Sequence, residues 1–382
     1  MKVRSRPRIV VIYNRDFEGA EADPENKARE DVQDVARDVL RILNECGFET
    51  GELGITKDIP AAISTLVAMK PTAVFNLCES IHGDNRFESL MPLLMDLSGI
   101  DYTGSSPFGL SLALRKEKVK DLLRGSGLPV ARGGLVNSVE DCARLELTFP
   151  TIVKPAREDA SVGICSASVT HSQATMEARV AHVLENYRQP ALVEEFIEGR
   201  EIYASILERT DGGPTVFPFF EIDFSDMPSD RPNIVSFEGK WVEDSVEYNG
   251  TRPVRCEGLS EDLRALITTT ALHAFRAVGL RDYGRIDFRL SPAGVPYIID
   301  VNPNCDLSDL AGGYSRAAKA SGLSYKDLIL HLVTLAIARH ERKISMPKLS
   351  DAAGSPVAVP HDEAILPSTA SAPSPRGGVG SA

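Results

Sequence analysis

The run Gly284-Arg285-Ile286-Asp287-Phe288, followed after a short turn by Asp300-Val301-Asn302-Pro303-Asn304, constrains this chain more than any other stretch. Both runs alternate polar and apolar residues, the period of a half-buried strand, and Ser291-Pro292-Ala293-Gly294 between them is rich in turn formers. A hairpin folded about Ala293-Gly294 pairs residues whose numbers sum to 587, which sets Asp287 directly opposite Asp300. Opposed residues on one sheet face hold their Cβ atoms roughly 4.5–5.5 Å apart, and two like charges there destabilise a bare sheet. Asn302 shares that face, because side chains repeat every second residue. Two carboxylates and an amide on one face suit a hard cation such as Mg²⁺, which takes oxygen ligands and bridges to substrate phosphates. The bland alternative is a solvated hairpin whose charges face water.

At 382 residues the chain exceeds a typical single core and implies two or three domains. Its 43% hydrophobic and 25% charged residues are ordinary for a soluble globular protein. A net charge of −12, with no dominant basic tract, argues against a nucleic-acid partner. No run approaches the roughly eighteen apolar residues of a membrane span. The basic start, Met1-Lys2-Val3-Arg4-Ser5-Arg6-Pro7, runs into a short strand and not into a signal-peptide core. The 6 cysteines (Cys46, Cys78, Cys142, Cys165, Cys256, Cys305) form no CxxC pair or Cys/His cluster. Reduced thiols in a cytoplasmic protein fit this better than disulfides or zinc.

Along the chain, 8–13 reads as a buried first strand and 24–46 as a helix, with Asp23 as N-cap and Pro24 in its first turn. Val32, Val35, Val39 and Leu43 make the helix's apolar stripe. A strand at 73–77 precedes a polar loop and a helix at 89–97, so strand and helix alternate as in an open, largely parallel α/β sheet through about residue 110. Ligand-binding residues in such sheets gather beyond the carboxyl ends of strands, which nominates Asn76, Glu79 and His82. Helices are expected at 116–124, 260–278 and 325–340, and short strands at 151 onward, within 191–208 and at 216–220. Beyond about Met346 the chain turns to Pro, Ala, Ser and Gly without periodicity, which reads as a disordered tail. The expected division is 1–110, 111–190, 191–345 and the tail 346–382.

A metal hairpin needs phosphates, yet the chain has no GxxxxGK[ST] and no strand-linked GxGxxG. Instead, Ile152-Val153-Lys154-Pro155 buries a lysine in an apolar strand, which is costly unless it meets an anion. The small-residue loop Ala160-Ser161-Val162-Gly163 that follows can turn backbone N–H groups toward phosphate oxygens. Further on, Leu192-Val193-Glu194-Glu195-Phe196-Ile197-Glu198-Gly199-Arg200-Glu201 is an apolar strand ending in carboxylates and a turn, a hinge into which an adenine ring could slide.

Taken in order, Lys116, Lys154 with Ser161-Val162-Gly163, Glu194 to Glu201, and Gly284-Arg285-Ile286-Asp287 with Asp300-Val301-Asn302 resemble the ATP-grasp enzymes, most closely their D-alanine–D-alanine ligase branch. Tyr102-Thr103-Gly104-Ser105, Gly127-Leu128-Pro129-Val130 and His82-Gly83 are similar to that branch as well. The resemblance implies an α/β ATP-grasp fold, with an open parallel N-terminal domain and two α+β subdomains enclosing ATP. It implies that Lys116 and Lys154 hold the ATP phosphates, Glu194 faces the adenine amine, Phe196 and Ile197 line the adenine slot, and Glu201 binds the ribose. Lys240, in Phe237-Glu238-Gly239-Lys240-Trp241, resembles the family's lysine near the γ-phosphate. Asp287, Asp300 and Asn302 would bind two Mg²⁺ ions, with Mn²⁺ as a substitute, and Arg285 would stabilise charge in transfer. Ser161 lies on one implied lid, and 229–248 is a second. The implied reaction is phosphorylation of a carboxylate by ATP to an acyl phosphate, which an amine then attacks.

The substrate end departs from the family. After the first strand stands Asn14-Arg15-Asp16-Phe17-Glu18-Gly19-Ala20 in place of a Gly-rich turn with Ser and Glu, and Glu88 is displaced by one from the family's acidic position. Asp300 stands where the family usually carries a glutamate. Pro303-Asn304-Cys305-Asp306-Leu307-Ser308-Asp309 replaces the Ser-Pro-Gly-type loop that receives the second carboxylate, and its acidic pair slightly favours a cationic acceptor. The expected partners are therefore small amino-acid or peptide substrates, with no nucleic acid and no membrane, and with a homodimer left open. The expected activity is an ATP- and Mg²⁺-dependent carboxylate–amine ligase. The alternatives are a ligase for a different amino acid or peptide acceptor, or a non-catalytic ATP-binding module.

Overall fold

The computed structural model describes residues 6–15, 26–211, 213–310 and 312–345. One compact unit spans Met1–Lys343; of the other, Ile344–Ala382, only the end of a helix is described. The expected tail, the Asp23-Pro24 cap and residues 16–20 of the first-strand loop lie outside the described residues.

Four consecutive β-branched residues, Ile9 to Ile12, form the middle of β1 (Arg8–Asn14) and are fully buried. Ile9 and Val11 pack on the stripe of α1 (Asn26–Glu45), where Val32, Val35, Val39 and Leu43 are all buried. Val10 and Ile12 face α2 (Ile59–Met69) and α3 (Leu90–Leu97). Two-sided burial of this kind belongs to parallel sheets covered by helices. The sheet order is β2-β1-β3, with β2 (Glu49–Ile55) and β3 (Ala73–Leu77) both parallel to β1. Strand β2 and helix α2 were not expected. Gly51 and Gly54 break the alternation of β2, and its strand form comes from pairing along the full length of β1.

After α4 (Pro107–Ala113) and α5 (Lys116–Gly125) comes a four-stranded antiparallel sheet of order β4-β7-β5-β6. It contains β4 (Gly133–Val136), β5 (Thr151–Pro155), β6 (Val169–Thr170) and β7 (Ala191–Glu195), backed by α6 (Gln173–Tyr187) through Met176, Val180 and Val183. Residues 191–195, expected to open the third segment, thus complete the second sheet.

The remaining strands, β8 (Arg200–Leu207), β9 (Thr215–Val216), β10 (Phe220–Asp223), β11 (Arg252–Arg255), β12 (Tyr283–Leu290) and β13 (Pro296–Asn302), form the third sheet in the order β11-β10-β8-β12-β13, with β9 on β8. The strand expected over 216–220 is split between β9 and β10, with Pro218, which has no ladder N–H to give, in the gap. Short helices α7 (Phe237–Trp241) and α8 (Val246–Asn249) stand between β10 and β11. Helix α9 (Glu261–Val278) is capped by Ser260, whose Oγ accepts from Leu263 N at 3.2 Å, and ends at Gly279 with φ 76°. Its buried face, Ile267, Ala271, Ala274 and Phe275, covers Ile202, Ala204, Ile286 and Phe288.

The β12–β13 hairpin has the expected pairs Asp287↔Asp300 and Arg285↔Asn302. Nearer the turn, however, Phe288 pairs with Ile298, so the register there is one residue shorter. Ser291 N donates to Val295 O at 3.0 Å, closing the turn more tightly than the alternation suggests. A bulge at Ile299 takes up the extra residue and restores the register at the acidic pair.

Helices α10 (Gly313–Ala320) and α11 (Tyr325–Ser345) return to the first sheet. At the head of β12, the fully buried Asp282 carboxylate accepts from Gly104 N (2.9 Å) and from Arg339 Nη2 (2.9 Å), tying α11 and the first sheet's loop to the β12–β13 hairpin. Arg281 stacks on the Tyr102 ring at 4.6 Å beside this knot. Removing one partner of a buried ion pair costs about 3–5 kcal/mol, so R339M should lose stability on that scale in denaturant unfolding. A loss under about 1 kcal/mol would show that the knot behaves as an exposed pair does.

Candidate active site

Alternation on β12 sends Gly284, Ile286 and Phe288 toward α9, which leaves Arg285, Asp287 and Arg289 on the opposite face. Arg285 grips Asp287 with two bonds, Nε to Oδ1 at 2.6 Å and Nη2 to Oδ2 at 2.7 Å, and lies over the Tyr203 ring at 4.7 Å. Asn302 Nδ2 donates to Asp287 Oδ2 at 3.1 Å, and Asp300 stands opposite Asp287 in the hairpin register. Burial pushes the Asp287 carboxyl up, against the pull of Arg285. Burial also works against ionisation of Asp300, but Lys116, Lys154 and Lys120 outweigh it and hold this carboxyl below its usual value. Among the described residues no three His, Cys, Asp or Glu side chains gather as a metal cluster. The donor set is two carboxylates and an amide, all capable of offering oxygen, which fits a hard cation that keeps water and phosphate ligands.

The lysines come from α5 and β5. Lys116 Nζ contacts Asp159 at 2.6 Å and Asp300 at 3.5 Å. One helical turn later, Lys120 Nζ meets Glu194 at 2.9 Å. Lys154 Nζ takes the other Glu194 oxygen at 2.8 Å. Burial alone would raise the Glu194 carboxyl, but the two ammonium groups hold it at about 2. Both Glu194 oxygens thus serve lysines already, and an adenine amine would be a third partner. Lys120 escaped the sequence reading. Its signal was the four-residue spacing from Lys116, which puts both on one helix face.

At the expected adenine and ribose end, Glu201 pairs with Arg289 Nη2 at 2.9 Å and accepts from Tyr203 Oη at 3.0 Å. Arg289 lies over Phe196 at 5.1 Å and over Phe224 at 5.7 Å. Phe196 and Ile197 are half-buried where β7 passes toward β8. Arg289 is the second residue that the motifs did not reveal.

The two lids touch. Ser161, at φ 63°, donates Oγ to Val235 O at 2.9 Å, Trp241 Nε1 donates to Ala160 O at 3.0 Å, and Phe237 N donates to Ile164 O at 2.8 Å. Lys240 lies over the Trp241 ring at 5.0 Å and makes no ion pair within 4 Å among the described residues. It keeps solvent access but sits in a protein-lined recess, where lost solvation and the nearby Arg285 lower its pKa.

At the substrate end, Tyr283 Oη donates to Asn304 Oδ1 and Asn304 Nδ2 donates to Glu88 Oε1, both at 2.8 Å. Burial pushes the Glu88 carboxyl well up. The acidic pair of the 303–309 loop is spent locally: Asp306 accepts from Ser308 N at 2.7 Å, and Asp309 pairs with Lys319 at 2.7 Å. Lys319 thus meets the charge of Asp309, while Asp306 has only neutral donors and keeps its charge, which halves the charge argument for a cationic acceptor. Helix α10 starts beside Arg285 with no side-chain cap, and a Cβ on Gly313 would stand 3.8 Å from Arg285 Nη1. Of the loop candidates, Asn76 caps Cys78 N at 3.2 Å and His82 turns to Lys57 O at 3.0 Å, while Glu79 is close enough to draw the Lys240 pKa upward.

The family model for the D-ala D-ala ligase C-terminus matches residues 130–334. A D-alanine–D-alanine ligase A of Mesorhizobium japonicum is 31% identical over 295 residues, covering 75% of this chain and 79% of that protein. The chain belongs to the D-alanine–D-alanine ligase family. An uncharacterized protein of Sinorhizobium fredii is 31% identical over 87% of this chain and 98% of its own length. The fold is shared with the D-alanine–D-alanine ligase of Bacillus anthracis solved with ATP, at a TM-score of 0.64 and 18% identity over 88% of this chain and 99% of that one. As a member of this family the chain is an ATP-dependent ligase with the ATP-grasp fold. No helix among the described residues is long and apolar enough to cross a membrane.

The Glu194 geometry has a consequence in acid. A carboxyl held at about 2 when folded, against roughly 4.3 when unfolded, stabilises the fold above the unfolded value and loses that contribution as pH falls toward 2. E194Q should therefore show a shallower loss of unfolding free energy than the wild type between about pH 4 and pH 2. Identical slopes in urea titrations would show that Glu194 titrates normally.

Proposed function

We propose that this ligase joins the carboxylate of one small amino acid to the amine of a second, with D-alanine as the first candidate for both. The observation that carries the reading is Lys240, a cation with no ion pair among the described residues, which lies over Trp241 and close enough to Arg285 and Asp287 to feel their charges. Such a group is placed to meet the charge that develops on a transferring phosphoryl group. Lys116 and Lys154 hold the phosphates, Phe196 and Ile197 receive adenine, and Glu201 takes the ribose. Mg²⁺, held by Asp287, Asp300 and Asn302, supplies neutralisation of phosphate charge when bound.

A substrate carboxylate oxygen attacks the γ-phosphorus as the bond to the leaving ADP oxygen breaks. The amine nitrogen then attacks the acyl carbon, phosphate leaves with the C–O electron pair, and the nitrogen loses a proton. The joined lids, Ser161 to Val235 and Ala160 to Trp241, exclude water from the acyl phosphate. The uncapped start of α10 and Arg285 Nη1 together offer donors and positive potential to the acceptor's carboxylate. The three sheets suggest three working parts, 1–110, 111–190 extended through β7, and the remainder to 345. Six cysteines without disulfides suit a cytoplasmic location.

ADP release and product mass should be recorded with ATP and Mg²⁺ against single and paired amino acids. A D-alanyl-D-alanine mass is the expected result, and a different coupled mass would reassign the substrates. D287N should lower turnover by about 10²–10³, the scale of removing a group that meets transition-state charge. Undiminished turnover in D287N would refute the metal assignment.

A further inference from the structure

We propose that Lys120 is a positioning residue that locks the β13 bulge and thereby aims Asp300 at the nucleotide–metal site. Its ammonium donates to Ile298 O at 3.0 Å while pairing with Glu194 at 2.9 Å, and its side chain is 6% exposed. Ile298 is the last paired residue before the bulge, and its N–H is also taken, by Pro129 O at 2.9 Å. The peptide that enters the bulge is therefore held on both sides, by the 129–130 segment and by Lys120.

The bulge matters because strand faces alternate at every residue. With the turn-side register continued, Asp300 would no longer stand opposite Asp287, and a one-residue slip turns a side chain to the other face. Bulges commonly re-aim a side chain in this way. Ile299 is the residue left over, and Asp300 follows it directly. Lys116, one turn earlier on α5, contacts Asp300 itself at 3.5 Å. The same helix face thus holds both the bulge and the carboxylate that the bulge presents.

Lys120 also reaches into the second sheet. It shares Glu194 with Lys154, whose Nζ lies 2.8 Å from the other carboxylate oxygen. An ammonium has three donors, and two are accounted for by these contacts. Lys120 is therefore a crossbeam between the strand that carries the nucleotide lysine's partner and the strand that carries the metal carboxylate. A neutral residue at 120 would leave Glu194 to Lys154 alone, drawing that lysine away from phosphate, and would release the bulge.

The inference rests on the nucleotide–metal reading of the site but not on which amino acids are joined, so nucleotide binding without either substrate tests it. ADP affinity without metal, and the Mg²⁺ concentration that half-saturates ATP binding, are measured by calorimetry for wild type, K120M and K120R. K120M is expected to weaken both, the Mg²⁺ half-saturation by about tenfold, as loss of a group that orients a metal ligand does. K120R keeps the charge on Glu194 but its planar fork cannot place one nitrogen on both acceptors. It is expected to hold metal-free ADP affinity near wild type while raising the Mg²⁺ half-saturation about threefold or more. A role in stability alone would lower the melting temperature and move neither quantity, and that result overturns the proposal. Should K120M not fold, K120R decides by the same criterion. If wild type itself fails to bind Mg²⁺–ATP, the reading of the site falls together with this inference; if wild type binds and the variants match it, this inference falls alone.

Discussion

A buried charge is tolerated only beside its opposite, and the space between the two antiparallel sheets is organised by that rule. Lys116 stands against Asp159 and Asp300, Lys120 and Lys154 against Glu194, Arg285 against Asp287, and Arg289 against Glu201. Arg285–Asp287 lies within β12, and Arg289–Glu201 and Lys154–Glu194 join neighbouring strands, whereas Lys116 and Lys120 tie α5 to strands of both sheets. Lys240 stands apart from this pairing, and its lowered pKa records the cost of its position. A triphosphate with its counter-ions brings both signs of charge to such a site, and these pairs supply a partner for each.

The backbone devices around the site serve the same end. The Ile299 bulge sets Asp300 against Asp287, α5 presents two lysines on one face, and the knot at Asp282 and Arg339 seats the first sheet's loops over the third. Through Tyr283 and Asn304 that seating extends to Glu88, which brings an acidic group from the N-terminal region to the substrate end. Hydrogen bonds from Ser161, Trp241 and Phe237 join the 157–164 and 229–248 segments beside this framework.

Much of this was legible in the chain. The pairing of Asp287 with Asp300 was read from alternation about Ala293-Gly294, and it holds because the bulge offsets a tighter turn. The stripe of α1 and the buried run of β1 were equally plain, since their periodicity is strong. Strand β2 was not, because its residues carry no pattern of their own and take their form from β1. The bulge was hidden for a related reason: a tighter turn and one unpaired residue cancel at the acidic pair, so the alternation alone cannot show either. Among side chains, Lys116 and Lys154 stood out, whereas Lys120 and Arg289 gained meaning only from partners about 70 to 180 residues away. The acidic loop at 306–309 misled in the opposite direction. Both charges looked available in sequence, but Asp309 is paired with Lys319 of α10, and only Asp306 keeps its charge, with neutral donors from Ser308.

In the proposed reaction this arrangement transfers the γ-phosphoryl group to a substrate carboxylate. The most direct measurement uses an amino acid labelled with ¹⁸O in its carboxylate and follows the released phosphate by mass spectrometry. Transfer through an acyl phosphate predicts one ¹⁸O in each phosphate formed alongside the coupled product. Phosphate without label, formed while the amide bond is made, would contradict it.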